Sequence, residues 1–369
     1  MDPSALLKTR ILVIDGATGT ELAALNLKPA DFGGAQYDGC NEHLNLTLPA
    51  AVAGVHDSYL AAGADIIETN TFGATSVVLA EYGLQDKARE INVAAARLAR
   101  ASAEKFSTPE KPRFVAGSLG PTTKALFVTG GITYDEMLQS YRAQAGALLE
   151  GGADLLLLET QQDMLNVRAG LTACFGAVKA AGKKVPVILS VTIGLDGKML
   201  SGQDADAMYL AVSHYPLFAL GFNCAAGPDE MRARVRRLAA ISRFPVFCMP
   251  NAGLPLENGS YPETPENFAS KIAGFARESR VNIAGGCCGT APAHIKELAR
   301  ALDGLEPAPA PGATARGFSG VAAVLWDELE PPLLAGERAN SIGSKLFRTM
   351  IADNKWDEAV SVAIRQAGA

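Results

Sequence analysis

Eight short apolar runs, separated by stretches with helical periodicity, constrain the fold of this chain more than any other feature. Parallel strands that helices cover on both faces are apolar throughout and do not alternate with polar residues. Two of the intervening stretches, 50–62 and 87–105, show the spacing of amphipathic helices. The predicted strands are 11–16, 65–70, 113–120, 154–160, 185–192, 216–224, 245–252 and 281–288.

Eight strand-then-helix units predict an α/β fold of the (β/α)₈ TIM-barrel class, with a doubly wound open sheet as the alternative. Two helix-to-strand junctions are near copies of each other, Ala-Gly-Ala-Asp-Ile-Ile-Glu-Thr at 62–69 and Gly-Gly-Ala-Asp-Leu-Leu-Leu-Leu-Glu-Thr at 151–160. In both, a glycine ends the helix, an aspartate opens the strand and a Glu-Thr pair closes it. This repetition favours a fold built from equivalent units.

Polar and metal-binding residue types gather where the predicted strands end. Barrel enzymes place their sites at this carboxyl end. A turn or helix-cap role is the alternative for any one of these residues, and for Ser118 the two readings are evenly matched. The candidates are Asp15, Gly16, Ala17, Thr18, Gly19, Thr20, Glu68, Asn70, Ser118, Glu159, Asn223, Cys224, Cys287 and Cys288.

Three cysteines stand at two of these strand ends, Cys224 in Gly-Phe-Asn-Cys-Ala and the adjacent Cys287 and Cys288 in Gly-Gly-Cys-Cys-Gly. If both ends face one cavity, three thiolates converge there. Sulfur ligands suit zinc, and a three-ligand set leaves the fourth tetrahedral position open for a substrate. The alternatives are buried apolar thiols or a vicinal disulfide.

Composition and charge exclude several classes of protein. The 369 residues include 33 basic and 39 acidic side chains, a net charge of −6, which argues against nucleic acid as a partner. Six irregularly spaced cysteines do not indicate a secreted disulfide scaffold. Neither a signal peptide nor an apolar run of membrane-spanning length is recognisable, so we expect no membrane partner and a cytoplasmic location.

The chain changes character near residue 303. We expect a barrel domain over 1–303, a Pro/Ala/Gly linker over 304–316 and a short extension over 317–369. The extension is too short to bury a good core of its own.

The strand-end motifs together resemble the homocysteine S-methyltransferase family, most closely the N-terminal homocysteine-binding module of cobalamin-dependent methionine synthase. The resemblance covers about residues 10–303. It rests on Asp-Gly-Ala-Thr-Gly-Thr at 15–20, Glu-Thr-Asn-Thr-Phe at 68–72, Gly-Phe-Asn-Cys at 221–224 and Gly-Gly-Cys-Cys-Gly at 285–289. In the extension, Gly-Glu-Arg-Ala-Asn at 336–340 and Gly-Ser-Lys at 343–345 resemble the start of the folate-binding barrel that follows this module.

The resemblance implies a zinc site and a homocysteine site. Cys224, Cys287 and Cys288 would hold Zn²⁺, which makes the substrate thiol a thiolate. Glu159 would bind the substrate ammonium, with an ion pair to an Arg or Lys as the alternative role. Backbone amides of residues 16–20 would bind the substrate carboxylate. Asp15 and Asn223 would be orienting groups of the site, and Glu68 would form a supporting hydrogen bond behind the residues that bind the metal or substrate.

We therefore expect an enzyme that methylates L-homocysteine to methionine with methylcobalamin. The sequence holds no Asp-x-His-x-x-Gly cobalamin motif, so cobalamin-binding and folate-binding modules would be partners in cis or in trans. One alternative is a stand-alone homocysteine or thiol S-methyltransferase that uses S-methylmethionine or betaine. A second alternative is a non-catalytic zinc- and thiol-binding scaffold.

Overall fold

Eight parallel strands form the centre of the molecule. The computed structural model describes residues 3–278, 280–309, 314–329 and 338–367. All eight predicted strands are present, each within its predicted range or ending one residue beyond it. They are β1 (Leu12–Val13), β2 (Ile66–Glu68), β3 (Phe114–Leu119), β4 (Leu155–Gln161), β5 (Val187–Val191), β6 (Ala219–Asn223), β7 (Val246–Met249) and β8 (Ile283–Ala284).

These strands form a barrel, not an open sheet. The hydrogen-bonded order is β1-β8-β7-β6-β5-β4-β3-β2. A parallel bridge between Ile14 and Ile66 then brings β1 beside β2. The predicted (β/α)₈ fold is confirmed, because an open sheet would leave these two strands at opposite edges.

Helices fill the connections between the strands. The predicted helices over 50–62 and 87–105 are present, shifted by at most one residue. In chain order the helices are α1 (Pro3–Leu6), α2 (Thr18–Ala24), α3 (Leu44–Thr47), α4 (Pro49–Ala62), α5 (Ser76–Leu79), α6 (Ala88–Phe106), α7 (Tyr134–Gly151), α8 (Met164–Ala180), α9 (Ala205–Val212), α10 (Pro228–Ile241), α11 (Pro265–Arg277), α12 (Pro292–Leu302), α13 (Lys345–Ala352) and α14 (Trp356–Ala367).

The strands are apolar throughout because both of their faces are buried. On β4, Leu155 and Leu157 belong to one buried cluster, whereas Leu156 and Leu158 belong to a second, larger one. The smaller cluster contains alternate residues of several strands and fills the barrel interior. The larger one also contains helix residues and lies between the strands and helices. This is the two-sided burial expected of a parallel sheet.

The two repeated junctions have the same structure. Gly63 and Gly152 end α4 and α7 with φ angles of 112° and 104°, which a side chain disfavours. The following aspartates then hold the preceding strand. Asp65 accepts a hydrogen bond from the Val13 amide, and Asp154 accepts one from the Val115 amide. Each aspartate also pairs with an arginine, Arg10 and Arg100 respectively.

Two described segments after α12, residues 305–309 and 314–321, lie against the outside of the barrel, and we call them together the strap. At the amino end of the barrel, the Ala308 amide donates to the Val281 carbonyl and the Ala315 amide donates to the Ile241 carbonyl. Further along, the Ser319 hydroxyl donates to the Ala207 carbonyl near the start of α9. Because α9 begins at the carboxyl end of the barrel, the strap passes from one end to the other.

The chain divides into two compact units, Met1–Val324 and Leu325–Ala369. Two short strands, β9 (Gly317–Ser319) and β10 (Ala323–Leu325), pair with each other. In the second unit, Met350 of α13 packs with Ala359 and Val362 of α14. Gly336 and Glu337 of the folate-barrel resemblance lie outside the described residues. No helix in the described ranges is long and apolar enough to cross a membrane.

A buried histidine in α4 predicts a pH-dependent stability. His56 is 0% exposed, and neither ring nitrogen has a hydrogen-bond partner among the described residues. Burial lowers its pKa to about 4. Below about pH 6.5 this imidazole is protonated in the unfolded chain but stays neutral in the folded chain. The free energy of unfolding therefore falls by about 3 kcal/mol as the pH drops from 6.5 to 4. Urea unfolding across this range should show the loss.

The matched variants are His56→Leu and His214→Leu, the second at an exposed position. His56→Leu should flatten the pH dependence relative to the parent, and His214→Leu should leave it unchanged. An unaltered slope in His56→Leu would show that the buried ring carries a proton in the folded state.

Candidate active site

A cavity of about 240 Å³ lies at the carboxyl end of the barrel. Residues at or just beyond the carboxyl ends of β1, β2, β3, β4 and β8 supply most of its wall. It brings together all but two of the predicted site residues. The predicted residues that line it are Gly16, Ala17, Thr18, Gly19, Thr20, Glu68, Asn70, Ser118, Glu159, Cys224, Cys287 and Cys288.

The three cysteines converge on one side of this cavity. The Cys224 and Cys288 sulfurs are 3.8 Å apart, the Cys287 and Cys288 sulfurs are 4.0 Å apart, and all three lie within 4.8 Å of one another. Tetrahedral Zn–S bonds of about 2.3 Å place neighbouring sulfurs about 3.8 Å apart. The cluster therefore has the donor type and the spacing of a metal site, and all three thiols are free rather than disulfide-bonded.

An unusual backbone turn directs Cys224 toward the cluster. Cys224 and Ala225 have φ angles of 63° and 57°, in the left-handed region that residues with a Cβ rarely adopt. Such a conformation costs roughly 1 kcal/mol per residue and persists only where the surroundings hold it. Here the Cys224 amide donates to the Met249 carbonyl, and the Asn251 amide donates to the Ala226 carbonyl.

Close packing around Cys287 and Cys288 requires glycine on either side of the pair. A Cβ at Gly286 would lie 2.4 Å from the Thr290 side chain. At Gly289, φ is 78°, and a Cβ would lie 2.2 Å from the Tyr261 ring. The Cys287 amide donates to the Pro250 carbonyl, which fixes the pair against the end of β7.

Asn223 is fully buried beside the cluster and does not line the cavity itself. Its Oδ1 accepts hydrogen bonds from the Thr160 amide (2.9 Å) and the Ser190 hydroxyl (2.6 Å). Its Nδ2 donates to the Thr160 hydroxyl (2.6 Å) and approaches the Cys287 sulfur at 3.9 Å. One side chain thus connects β4, β5 and β6 to a candidate metal ligand.

The wall outside the cysteine cluster is acidic. Glu42, Glu68 and Glu159 line the cavity, whereas no Lys, Arg or His is among the residues known to line it. Asp15 lies behind them, and its Oδ2 accepts a hydrogen bond from the Glu68 amide. Burial raises the pKa of all four carboxyls, and for Asp15 and Glu68 it does so well above the usual range, with further repulsion from Glu159.

Glu159 is the carboxyl best placed to bind a cation. It is 4% exposed, and the Ser118 hydroxyl donates to its Oε1. Burial raises its pKa to about 7, although hydrogen bonds from Ser118 and Thr160 oppose the shift. Among the described residues no Lys or Arg pairs with it, so the alternative ion-pair role has no partner in this part of the chain.

Several cavity residues escape prediction from the sequence. Asn41 and Glu42 precede α3, in a segment that contains no strand. Met249 is an apolar residue of β7 that the sequence does not distinguish from the core. Asn251 follows β7 but is not among the residues that line the cavity, and its buried Oδ1 accepts no hydrogen bond within the described ranges.

The fold and this cavity define a (β/α)₈ barrel with a cysteine cluster and an acidic pocket at the face where barrel enzymes work. The family model described as homocysteine S-methyltransferase matches residues 12–302. The chain belongs to the homocysteine S-methyltransferase family.

Solved structures of one enzyme are similar to this chain. The metallated form of the homocysteine methyltransferase MmuM from Escherichia coli has 25% sequence identity and a TM-score of 0.67, over 80% of this chain and 98% of that one. The oxidised form has 24% identity and a TM-score of 0.65, over 80% and 97%. The apo form has 24% identity and a TM-score of 0.62, over 81% and 98%.

The role of Asn223 can be tested with Asn223→Asp, which keeps the accepting oxygen but removes the donating amide. The Thr160 hydroxyl and the Cys287 sulfur lose their donor, and a charge becomes buried. We expect the free energy of unfolding to fall by about 2–4 kcal/mol, measured by urea denaturation. The control is Asn258→Asp, at an exposed position where Oδ1 accepts from Ser260. Equal stabilities of the two variants would refute a structural role for the amide.

Proposed function

We propose that this protein methylates the sulfur of L-homocysteine to give methionine, at a Zn²⁺ site formed by Cys224, Cys287 and Cys288. The observation that carries the proposal is the division of one small cavity into a sulfur-rich side and an acidic side. A substrate with a thiol at one end and an ammonium at the other matches that division.

The cysteine cluster suits the zinc that the proposal requires. Its sulfur spacing fits tetrahedral coordination, and three protein ligands leave one position for a substrate sulfur. When bound there, Zn²⁺ lowers the pKa of the substrate thiol, so that the nucleophilic thiolate exists at neutral pH. The protein's part is to hold the three sulfurs at this spacing, through the Cys224 turn and the glycines around Cys287 and Cys288.

The rest of the cavity would hold the amino acid end of homocysteine. Glu159 is a buried carboxylate without a cationic partner in the described structure, and an ammonium would supply that partner. Thr18 also lines the cavity, and its buried hydroxyl has no hydrogen-bond partner among the described residues. Together with the amides of residues 16–20 it can donate to the substrate carboxylate.

Methylcobalamin carried by another module or chain is the donor that we favour. The loops at the carboxyl face carry exposed apolar side chains, which a small donor does not need and a docking partner would cover. The resemblance of Arg338-Ala339-Asn340 to part of the motif that opens the folate-binding barrel also supports a partner module. The exposed residues, between 44% and 65% accessible, are Phe72, Phe127, Leu195, Leu200 and Leu256.

A small cationic donor, such as S-methylmethionine or betaine, is the second candidate. The acidic cavity favours it. One homocysteine ammonium requires one carboxylate, and Glu42 and Glu68 line the cavity in addition to Glu159. Assays with methylcobalamin, S-methylmethionine and betaine as separate methyl donors distinguish the candidates, with methionine as the measured product. Turnover with S-methylmethionine or betaine alone would replace the cobalamin proposal.

Metal analysis tests the site directly. Elemental analysis of protein purified under reducing conditions should give about one Zn²⁺ per chain. Cys287→Ser should lose most of it, because an alcohol is a poor zinc ligand. Cys174→Ala, at a buried free thiol of α8 that is not part of the cluster, should retain it. A folded parent protein with no zinc would contradict the proposal.

Glu159→Gln tests recognition of the ammonium. Homocysteine affinity should fall by about 10- to 100-fold, measured by calorimetry on the zinc-loaded protein, since a charged contact becomes a neutral one. Desamino-homocysteine (4-mercaptobutyrate) should bind the parent and the variant almost equally. Glu150→Gln is the control, because Glu150 pairs with Arg89 on the outer surface. If both ligands weaken alike in Glu159→Gln, the carboxylate does not contact the ammonium.

A further inference from the structure

The segment between β7 and α11 leaves the cysteine cluster and then returns to it. At its start, the Ala252 amide donates to the Cys288 carbonyl (2.9 Å). At its end, the Glu263 amide donates to the Ala252 carbonyl (3.0 Å). Between these points the Tyr261 ring packs against Gly289, where a Cβ would lie 2.2 Å from the ring. The segment therefore lies directly against Cys288 and the glycine that follows it.

His294, in the first turn of α12, holds the end of this segment. The ring is 8% exposed, and the Phe268 ring of α11 contacts it edge-on, with 5.6 Å between the ring centres. Its Nδ1 accepts a hydrogen bond from the Ala291 amide (3.1 Å), and its Nε2 lies 3.0 Å from the Glu263 carbonyl oxygen. An amide N–H can only donate and a carbonyl oxygen can only accept. The imidazole is therefore neutral, with its proton on Nε2, and both of its nitrogens are used.

These contacts form a closed circuit around Cys288. The chain runs from Cys288 to Ala291, whose amide donates to His294. The His294 ring donates to Glu263, and the Glu263 amide donates to Ala252. The Ala252 amide then donates back to Cys288. Because the circuit ties the peptide after β8 to the segment after β7, the Cys288 backbone cannot shift without breaking one of these bonds.

We propose that His294 is a positioning residue of the cysteine cluster, which holds the Cys288 sulfur at its distance from Cys224 by linking the β7–α11 segment to the start of α12. This inference rests on the proposed function in that it takes the three cysteines as metal ligands. The Cys224 and Cys288 sulfurs lie 3.8 Å apart, and that spacing depends on the backbone that carries Cys288. His294 is not among the residues that line the cavity, so it acts through the peptide and not on the substrate.

A helix cap is the alternative role for His294. In a capping box, a Glu or Gln side chain in the first turn accepts a hydrogen bond from the amide of the residue that precedes the helix. The bond from the Ala291 amide to Nδ1 has this form. The bond from Nε2 to Glu263 has no part in a cap, because it joins α12 to another segment. Substitutions that keep one bond and remove the other distinguish the two roles.

The experiment measures Co²⁺ affinity and the thiolate-to-cobalt absorption spectrum of His294→Gln, His294→Glu and His294→Leu. Glutamine can accept from Ala291 and donate to Glu263 with one amide group, so it should match the parent. Ionised glutamate can accept but cannot donate, and leucine does neither. Both should bind Co²⁺ about 10- to 100-fold more weakly, with an altered spectrum. The control is His214→Leu, at an exposed histidine, which should match the parent.

Urea unfolding of the same variants separates the link from the cap. His294→Glu retains the bond that caps α12, so its free energy of unfolding should fall less than that of His294→Leu. Weak Co²⁺ binding by a folded His294→Glu, together with parent-like binding by His294→Gln, supports the positioning role.

The outcomes also separate this inference from the proposed function. If the parent binds Co²⁺ and His294→Glu has the same affinity and spectrum, His294 only caps α12. The positioning role is then overturned and the metal site stands. A His294→Gln variant as weak as His294→Glu would overturn the role as well, because the bond to Glu263 would not decide the affinity. A folded parent that binds no Co²⁺ overturns both.

Discussion

The hydrogen bonds of the Asn223 side chain are the interaction on which the rest of the site depends. They join three neighbouring strands at the point where β6 ends and the chain turns into the left-handed conformation of Cys224. A turn of that kind is unfavourable by itself, so a rigid support has to precede it. The same amide approaches Cys287, which comes from the other side of β7. The Asn223 side chain thereby connects the turn at Cys224 to Cys287, although these two cysteines are far apart in sequence.

The acidic wall gives the cavity a definite electrostatic character. Burial raises the pKa of Asp15, Glu68 and Glu159, and repulsion from Glu159 adds to the shift at Asp15 and Glu68. Positive charge inside the cavity offsets that penalty. A divalent cation at the sulfurs and an ammonium at Glu159 would each relieve part of it, so binding of one is expected to favour binding of the other.

Burial on both faces explains why the sequence predicts the fold so well. Short apolar runs mark all eight strands, and the cysteine motifs mark the cluster. Glu42 escapes prediction for a physical reason. It reaches the cavity from a segment without a strand, where its carboxylate accepts a hydrogen bond from the Gly73 amide. Contacts of this kind leave no periodic pattern in the sequence.

The strap has a consequence for any domain that the chain carries after the barrel. It begins at the amino end and reaches the carboxyl end, where Val321 lies within contact distance of the Gly202 position. The strap therefore ends on the same face as the cavity. Under the proposed function, a methyl carrier tethered at that point would search a smaller volume around the substrate sulfur than one tethered at the amino end, and its effective concentration would be higher.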